Sequence, residues 1–271
     1  MIVINGKHAE TISVHDRGLL YGDGVFETIA IKNGRMQLFD MHMRRLITGC
    51  EALLMPSPDI NVIKQEAQSL CMGKGNHVLK IIITRGPGER GYTIPDQQQP
   101  TRIIEISPFP EYPATYASNG VNVMLCQHRL GINPALAGIK HLNRLEQILA
   151  RSELKNSTFF EGLMMDVEGN VVEGTMTNLF SVKAGKLFTP DLTRCGVAGV
   201  MRNMVLELAD KNSIPCHIGN MKTAEFMESD EIFLTNSLVG ICPVKQIDQQ
   251  QFNPGIITKT LQTRLHETTS I

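Results

Sequence analysis

The sequence lacks the features that mark several protein classes. No stretch of about 18 consecutive apolar residues occurs, so the sequence predicts no membrane span. The formal net charge is only -1 and no basic block is present, which argues against a protein that tracks nucleic-acid phosphates. The start of the sequence carries charge by position 7 and has no apolar stretch of signal-peptide length, so we expect a cytoplasmic protein. A protein that acts on small molecules is favoured.

Cysteines with metal-finger spacing are also missing. None of the six cysteines belongs to a C-x-x-C pair, so we predict no bound metal. Scattered cysteines in a cytoplasmic protein are expected to be reduced and mostly packed in the core. They are Cys50, Cys71, Cys126, Cys195, Cys216 and Cys242.

The first hundred residues combine strand and helix patterns. Asn5-Gly6 and Asn33-Gly34 favour two-residue hairpin turns. Asp40 is the predicted N-cap of an amphipathic helix that ends before Pro56. Apolar runs rich in β-branched residues predict strands at 25–31, 78–84 and 102–107.

A proline-rich stretch divides the chain. Residues 107–119 read SPFPEYPATYASN, which is the best candidate for a linker because three prolines and several small residues interrupt the apolar pattern. We therefore predict an α+β protein of two domains. A smaller domain spans residues 1–108, a linker spans 109–119, and a larger domain spans 120–271.

The larger predicted domain again mixes strands and helices. Its periodic segments predict helices at 142–154, 200–209 and 256–266, and strands at 121–126, 162–166, 178–182 and 231–235.

Lys140 lies in the segment ALAGIKHLNRLEQ, where small residues give way to the predicted helix. The helix dipole disfavours a cation at this end, so electrostatics of the helix alone do not explain the lysine. A partly desolvated lysine can act as a Schiff-base amine or as a general base. Taken by itself, a single lysine is more often a solvated surface residue.

Glu173 occupies a second informative segment. It precedes a bend, Gly174-Thr175, between two predicted strands. The carboxylate could be an ordinary exposed group at a strand end. It could equally hold the protonated ring nitrogen of a pyridine cofactor, which needs an acidic partner to serve as an electron sink.

Together these segments resemble the branched-chain/D-amino-acid aminotransferase family, the fold-type-IV pyridoxal-phosphate enzymes. The resemblance covers nearly the whole chain in six collinear matches. They are DRGLLYGDGVFET (16–28), HMRRL (42–46), Lys140, EGTMTNLF (173–180), GVAGVMR (196–202) and DEIFLTNSL (230–238). The resemblance implies a homodimer that binds pyridoxal 5'-phosphate between the two domains, with Lys140 in the larger domain as the Schiff-base lysine.

The resemblance also assigns further cofactor contacts. Arg45 takes the position of the phosphate-binding arginine, with Arg44 as a much weaker candidate. The backbone N–H groups of Val200 and Met201 open a helix, whose amino end favours a phosphate dianion. The remaining implied cofactor residues are Glu173 at the ring nitrogen, Asn178, which either orders Glu173 or caps the strand, and the hydroxyl of Ser237.

Three features favour one branch of the family. The run KHLNRLEQ from Lys140 and the loop RGPGERGY at 85–92 resemble those of the 4-amino-4-deoxychorismate lyases. Arg90 and Tyr92 in this loop stand where D-amino-acid transaminases carry an Arg-x-His carboxylate trap, so they are candidate substrate-binding residues. Thr28 stands where transaminases usually have glycine or valine, and its hydroxyl could relay a proton or order a water. Arg90, Tyr92 and Thr28 could each also be purely structural.

The expected activity is therefore a lyase reaction that yields 4-aminobenzoate and pyruvate in folate biosynthesis. A functional coupling to aminodeoxychorismate synthase is a possible consequence. The nearest alternative is a transaminase acting on D- or branched-chain amino acids. A non-catalytic pyridoxal-phosphate carrier and a structural α+β protein without a cofactor are weaker alternatives.

Overall fold

The computed structural model describes residues 1–73 and 75–269, which form two compact units. The first unit contains Met1–Pro110 together with Ile139–Asn143. The second contains Glu111–Gly138 and the chain from Arg144 on. Within the described residues, no helix is both long enough and apolar enough to cross a membrane.

The first unit is built on a six-stranded antiparallel sheet with the strand order β2-β1-β6-β5-β3-β4. Its strands are β1 (Ile2–Ile4), β2 (Lys7–His8), β3 (Gly24–Lys32), β4 (Arg35–Met36), β5 (His77–Thr84) and β6 (Thr101–Pro108). Its helices are α1 (Arg17–Tyr21), α2 (Phe39–Ala52) and α3 (Ile60–Cys71).

Two predicted hairpin turns are confirmed in this sheet. Asn5-Gly6 connects β1 to β2, and Asn33-Gly34 connects β3 to β4. All four residues have positive φ, between 48° and 81°. This is the backbone that a type I′ turn requires and that asparagine and glycine tolerate best.

Strand β3 presents alternate residues to two environments. Val25, Ile29 and Ile31 join a hydrophobic core that includes Met43 and Leu46 of α2. Because side chains alternate along a strand, Glu27 shares their face, whereas the even-numbered residues of β3 face the other way.

The predicted N-cap of α2 is wrong. The helix is preceded by Leu38, which has a φ of 52° and makes no capping hydrogen bond through its side chain. Asp40 lies in the first helical turn, where its charge still complements the helix dipole. Helix α3 was not identified from the sequence, although Asp59 caps it by accepting from the N–H groups of Asn61 and Val62.

The second unit contains a nine-stranded mixed sheet. Eight strands follow the order β12-β11-β10-β13-β14-β7-β8-β9, and β15 pairs with β14. The strands are β7 (Val121–Leu130), β8 (Glu161–Asp166), β9 (Val171–Gly174), β10 (Asn178–Lys183), β11 (Lys186–Pro190), β12 (Cys216–Gly219), β13 (Glu231–Asn236), β14 (Gly240–Ile247) and β15 (Gln250–Gln251). Its helices are α4 (Thr115–Asn119), α5 (Leu145–Ser152), α6 (Val200–Lys211), α7 (Thr223–Met227) and α8 (Ile256–Thr269).

The unit boundaries differ from the predicted domains in two respects. The predicted linker at 109–119 contains helix α4, and the division falls between Pro110 and Glu111. The segment around Lys140 groups with the first unit, because the Phe26 N–H donates to the Lys140 carbonyl and the Leu142 N–H donates to the Gly24 carbonyl. Helix α5 correspondingly begins at Leu145 rather than at 142, because residues 140–142 are extended along β3.

Candidate active site

Lys140 lies beside β3 in the first unit. The segment 139–143 runs antiparallel to the first half of this strand, with His141 bridged to Val25. This register places Lys140 opposite Phe26, so their side chains share a face. The Lys140 Nζ lies 4.3 Å from the centre of the Phe26 ring, and the Lys80 Nζ lies 5.8 Å from the same centre.

Thr28 belongs to the same face of β3, two residues beyond Phe26. It pairs with Lys80 across the β3–β5 ladder and is half-buried. The structure thus brings the two predicted catalytic residues, Lys140 and Thr28, onto the same face of two neighbouring extended segments. A proton-relay role for Thr28 stays a prediction.

Glu27 forms a buried cluster with two side chains of α2. Its Oε1 accepts from Arg45 Nε at 2.7 Å, and its Oε2 accepts from Arg45 Nη2 at 2.5 Å. The His42 Nδ1 lies 2.6 Å from the same Oε2 and must be the donor, since an ionised carboxylate only accepts. Arg45 and His42 reach one carboxylate because they stand three residues apart on one face of the helix.

The ionisation of this cluster follows from burial and charge. Burial by itself would raise the pKa of Glu27, but the charge and hydrogen bonds of Arg45 lower it to about 2. Burial lowers the pKa of His42, against the opposing effect of Glu27. The cluster therefore holds an ionised carboxylate between a guanidinium and a neutral imidazole. Neither Glu27 nor His42 was singled out from the sequence, although both lie inside quoted motifs.

Arg90 and Tyr92 lie on an exposed loop of the first unit. Tyr92 is 85% exposed, and its ring packs edge-on against Tyr21 with 5.4 Å between the ring centres. Arg17 anchors the loop by donating from Nη1 to the Gly91 carbonyl at 3.0 Å. Their predicted contact with substrate stays a prediction.

Glu173 lies at the end of β9 in the second unit and is 3% exposed. Its Oε2 accepts from the Val197 N–H at 2.8 Å, and its Oε1 accepts from Gln147 Nε2 at 3.2 Å. Arg144 is close enough for its charge to interact with this carboxylate. Both of these hydrogen bonds come from neutral groups, whereas Glu27 accepts two hydrogen bonds from a guanidinium.

Asn178 connects Glu173 to the start of α6. Its Nδ2 donates to the Val197 carbonyl at 2.8 Å, and the N–H of Val197 donates to Glu173. A side chain at Gly199 would collide with the Asn178 Oδ1, so the amide packs directly on the helix start. Of the two predicted roles for Asn178, the geometry favours ordering Glu173.

Helix α6 begins at Val200, with Gly199 as its N-cap. Glycine has no side chain to cap the helix, and the first N–H groups of a helix have no acceptor within it. Val200 and Met201 are buried, so their N–H groups belong to an interior helix start of the kind that binds phosphate. Ser237 follows β13 in a turn that Asn236 holds, accepting from the N–H groups of Leu238 and Val239.

A third buried carboxylate, Glu161, shapes the bend between β9 and β10. It accepts from the N–H groups of Thr175 and Met176 and from the hydroxyls of Thr175 and Thr177. Arg151 donates to it from Nη1 at 3.2 Å. Because Glu173 and Asn178 flank this bend, Glu161 fixes their spacing. Its role was not predicted from the sequence.

Comparison with known proteins identifies the family. The family model described as amino-transferase class IV matches residues 24–247, which is most of the chain. The chain belongs to this family.

Relatives of this class IV protein include both lyases and aminotransferases. It is 36% identical to an aminodeoxychorismate lyase of Vibrio harveyi over 270 residues, covering 98% of this chain and 100% of the relative. It is 30% identical to a putative branched-chain-amino-acid aminotransferase of Methanocaldococcus jannaschii, covering 98% and 95%. The crystal structure of a 4-amino-4-deoxychorismate lyase from Pseudomonas aeruginosa matches with a TM-score of 0.95 and 44% identity over 100% of both chains.

Membership in the family confirms the predicted fold class, α+β of fold type IV, and the predicted cofactor, pyridoxal phosphate. The donor set of this class IV protein also fits that group. A buried helix start without a side-chain cap suits a phosphate, and a buried carboxylate that accepts from a backbone N–H and a side-chain amide suits a protonated ring nitrogen. The described residues contain no group of three or more potential metal-ligating acids, histidines and cysteines.

Proposed function

We propose that this protein is a pyridoxal-phosphate-dependent lyase that converts 4-amino-4-deoxychorismate to 4-aminobenzoate and pyruvate. The observation that carries the proposal is full-length similarity to two lyases, at 36% and 44% identity. The aminotransferases compared with it are less similar; a branched-chain enzyme of Escherichia coli, for example, matches at 25% identity with a TM-score of 0.88.

The cofactor, when bound, supplies an electron sink through its protonated ring. Lys140 would carry it, Glu173 would keep the proton on the ring nitrogen, and Arg45 with the N–H groups of Val200 and Met201 would bind the phosphate. The cluster at Glu27 holds the Arg45 side chain in a fixed orientation. Ser237 completes the cofactor contacts, and Asn178 orders Glu173 through Val197.

Lys140 also moves the proton on which the reaction depends. Its Nζ would remove the proton from the amine-bearing ring carbon of the substrate. Cleavage of the carbon–oxygen bond then expels the enolpyruvyl group, and the ring becomes aromatic. The proton that leaves the ring balances the one that enolpyruvate gains in becoming pyruvate. The reaction therefore needs no keto-acid co-substrate. Thr28 lies on the Lys140 face of β3, and we propose that its hydroxyl relays the proton that leaves the substrate ring.

Several properties of the assembly belong to the same proposal. We expect a cytoplasmic homodimer that receives its unstable substrate from aminodeoxychorismate synthase in the course of folate biosynthesis. In this proposal, Arg90 and Tyr92 bind a substrate carboxylate from their exposed loop.

The deciding experiment supplies the purified holoenzyme with 4-amino-4-deoxychorismate and, separately, with D-alanine and 2-oxoglutarate. We expect equal amounts of 4-aminobenzoate and pyruvate from the first substrate and slow or no amino transfer in the second reaction. Rapid amino transfer without 4-aminobenzoate would replace the lyase with the transaminase alternative.

Replacement of Lys140 tests its assignment. Lys140→Ala should lower turnover by about 10³-fold or more, because both the cofactor-carrying amine and the proton-transfer group are removed. The absorbance band of the bound cofactor near the visible edge should shift, and borohydride should no longer fix the cofactor to the chain. Lys80→Ala is the matched control, since this exposed lysine approaches the same Phe26 ring. Borohydride fixation that survives in Lys140→Ala would assign the cofactor to another lysine.

A further inference from the structure

The Glu173 carboxylate is held from two directions. The Val197 N–H reaches Oε2, and the Gln147 amide, in the first turn of α5, reaches Oε1. Each oxygen thus has a donor from a different part of the fold. Two such contacts fix both the position of the carboxylate and the rotation of its plane.

Within the described residues, the contact from Gln147 to Glu173 leaves the other end of the Gln147 amide without a hydrogen bond. Its Oε1 is buried, and among residues 1–73 and 75–269 it has no hydrogen-bond partner. The reverse orientation of the amide would set this oxygen against a carboxylate oxygen, which repels it. The amide is therefore oriented by the charge of Glu173, and its oxygen remains unsatisfied as a consequence.

Arg144 adds a charge to the same place. It immediately precedes α5 and stands three residues before Gln147, so both side chains lie on one face of the helix start. Burial lowers the pKa of Arg144, whereas the nearby charges of Glu173 and Glu146 raise it. A buried guanidinium near Glu173 favours the ionised form of that carboxylate.

We infer that Gln147 is a positioning residue of the cofactor site, whose side-chain amide keeps the Glu173 carboxylate ionised and aimed, with Arg144 supplying supporting charge. The inference rests on the proposed function, in which Glu173 holds the ring nitrogen. Gln147 itself need not touch the cofactor or the substrate. Its residue type matters because a neutral amide donates a hydrogen bond to the carboxylate without itself being an acid or a base at neutral pH.

Two substitutions test this role. Gln147→Met keeps the length of the side chain but removes the donor, and Gln147→Glu places a second carboxyl group at hydrogen-bonding distance from Glu173. Gln65→Met, on the exposed side of α3, is the matched control for loss of a helical glutamine. The measurements are the cofactor dissociation constant of the apoprotein, the pH titration of the bound-cofactor absorbance band, and the thermal unfolding midpoint of the apoprotein.

We expect Gln147→Met to weaken cofactor binding about three- to ten-fold, the range of one hydrogen bond, with an unchanged apoprotein unfolding midpoint. Gln147→Glu should add a new ionisation to the titration of the absorbance band, because two adjacent carboxylates cannot both be ionised cheaply. Arg144 and the Cys195 thiol also interact with the charge of Glu173, and both variants retain them.

Two results would overturn the inference. One is wild-type cofactor affinity in Gln147→Met together with a wild-type titration in Gln147→Glu. The other is a loss of affinity matched by a lower unfolding midpoint, which would mean that Gln147 serves only the fold. A wild-type protein that binds the cofactor but releases no 4-aminobenzoate would refute the proposed reaction and leave these binding tests intact. A wild-type protein that binds no cofactor would refute both.

Discussion

Glu27 and Glu173 are two buried glutamates whose carboxylates have different hydrogen-bond donors. Glu27 is fully buried and bound by the guanidinium of Arg45, with the His42 imidazole as a second donor. Glu173 is nearly as buried but is held by the Val197 N–H and the Gln147 amide. Two hydrogen bonds join the Glu27 carboxylate to the Arg45 guanidinium, whereas a backbone N–H and a neutral amide are among the donors to Glu173. Burial by itself therefore does not identify a cofactor-binding carboxylate; the chemistry of its partners does.

Removal of the charge at Glu27 should lower the stability of the fold. Glu27→Gln leaves Arg45 largely buried beside a neutral amide, so we expect a loss of about 3–5 kcal/mol in the free energy of unfolding. Urea unfolding of the apoprotein measures the effect. Glu51→Gln, an exposed position on α2, is the control and should change stability little.

The effect of Glu27→Gln on the free energy of unfolding should depend on pH. The pKa of Glu27 is about 2 in the folded protein, below its ordinary value of 4.5, so the ionised group stabilises the fold above pH 4.5. This contribution is lost as the pH falls from 4.5 towards 2. The stability difference between wild type and Glu27→Gln should therefore shrink across this window, and a difference that grew in acid would contradict the pairing.

Removal of the charge at Glu173 should lower turnover and leave the stability of the fold largely unchanged. Glu173→Gln should lower turnover by about 10²–10³-fold, the usual cost of removing a preorganised electrostatic partner. The unfolding midpoint of the apoprotein should change far less than in Glu27→Gln. Glu168→Gln, which removes an exposed carboxylate of the β8–β9 turn, should leave turnover unchanged. A Glu173 variant that lost stability but kept turnover would reverse the roles of the two glutamates.

Arg45 tests whether the cation held by Glu27 also serves the cofactor. Arg45→Ala should weaken pyridoxal-phosphate binding about ten- to a hundred-fold, equivalent to about 1.5–3 kcal/mol for a charge-assisted contact. Equilibrium titration of the apoprotein with cofactor measures the loss. Arg44→Ala is the neighbouring control, because Arg44 is exposed on the same helix. Equal affinities for the two variants would reassign the phosphate-binding arginine.

Asn178 should give the smallest effect, since it acts on Glu173 through the Val197 peptide. Asn178→Ala removes one hydrogen bond, which corresponds to about 1 kcal/mol or a roughly five-fold weaker cofactor affinity. Asn203→Ala, on the exposed side of α6, is the control. A loss as large as that of Arg45→Ala would indicate that Asn178 contacts the cofactor directly.

Local sequence patterns predicted many of the regular elements, because strands and helices follow from residue spacing, but they did not predict helix α3 or strand β14. The hairpin turns at Asn5 and Asn33 and the start of α6 at Val200 were predicted at the observed residues. The N-cap at Asp40 failed, since a β-turn residue in the left-handed region, Leu38, precedes α2 instead.

Long-range pairing set the limit of prediction at the site. The motif around Lys140 was recognised, but its register beside Phe26 depends on hydrogen bonds between segments more than a hundred residues apart. Glu27 and Glu161 were missed for the same reason. A glutamate in a strand gives no local sign that Arg45 or Thr175 will meet it in the folded chain.

The strand-like segment at 139–143 has a consequence for dissecting the protein. The chain enters the second unit at Glu111, supplies five residues to the edge of β3, and then re-enters the second unit at Arg144. No single cut can release an intact first unit. A fragment ending at Pro110 would leave the first half of the β3 edge without the backbone partners that Lys140 and Leu142 provide. Unpaired strand edges recruit other chains, so such a fragment should aggregate unless the missing pentapeptide is grafted back.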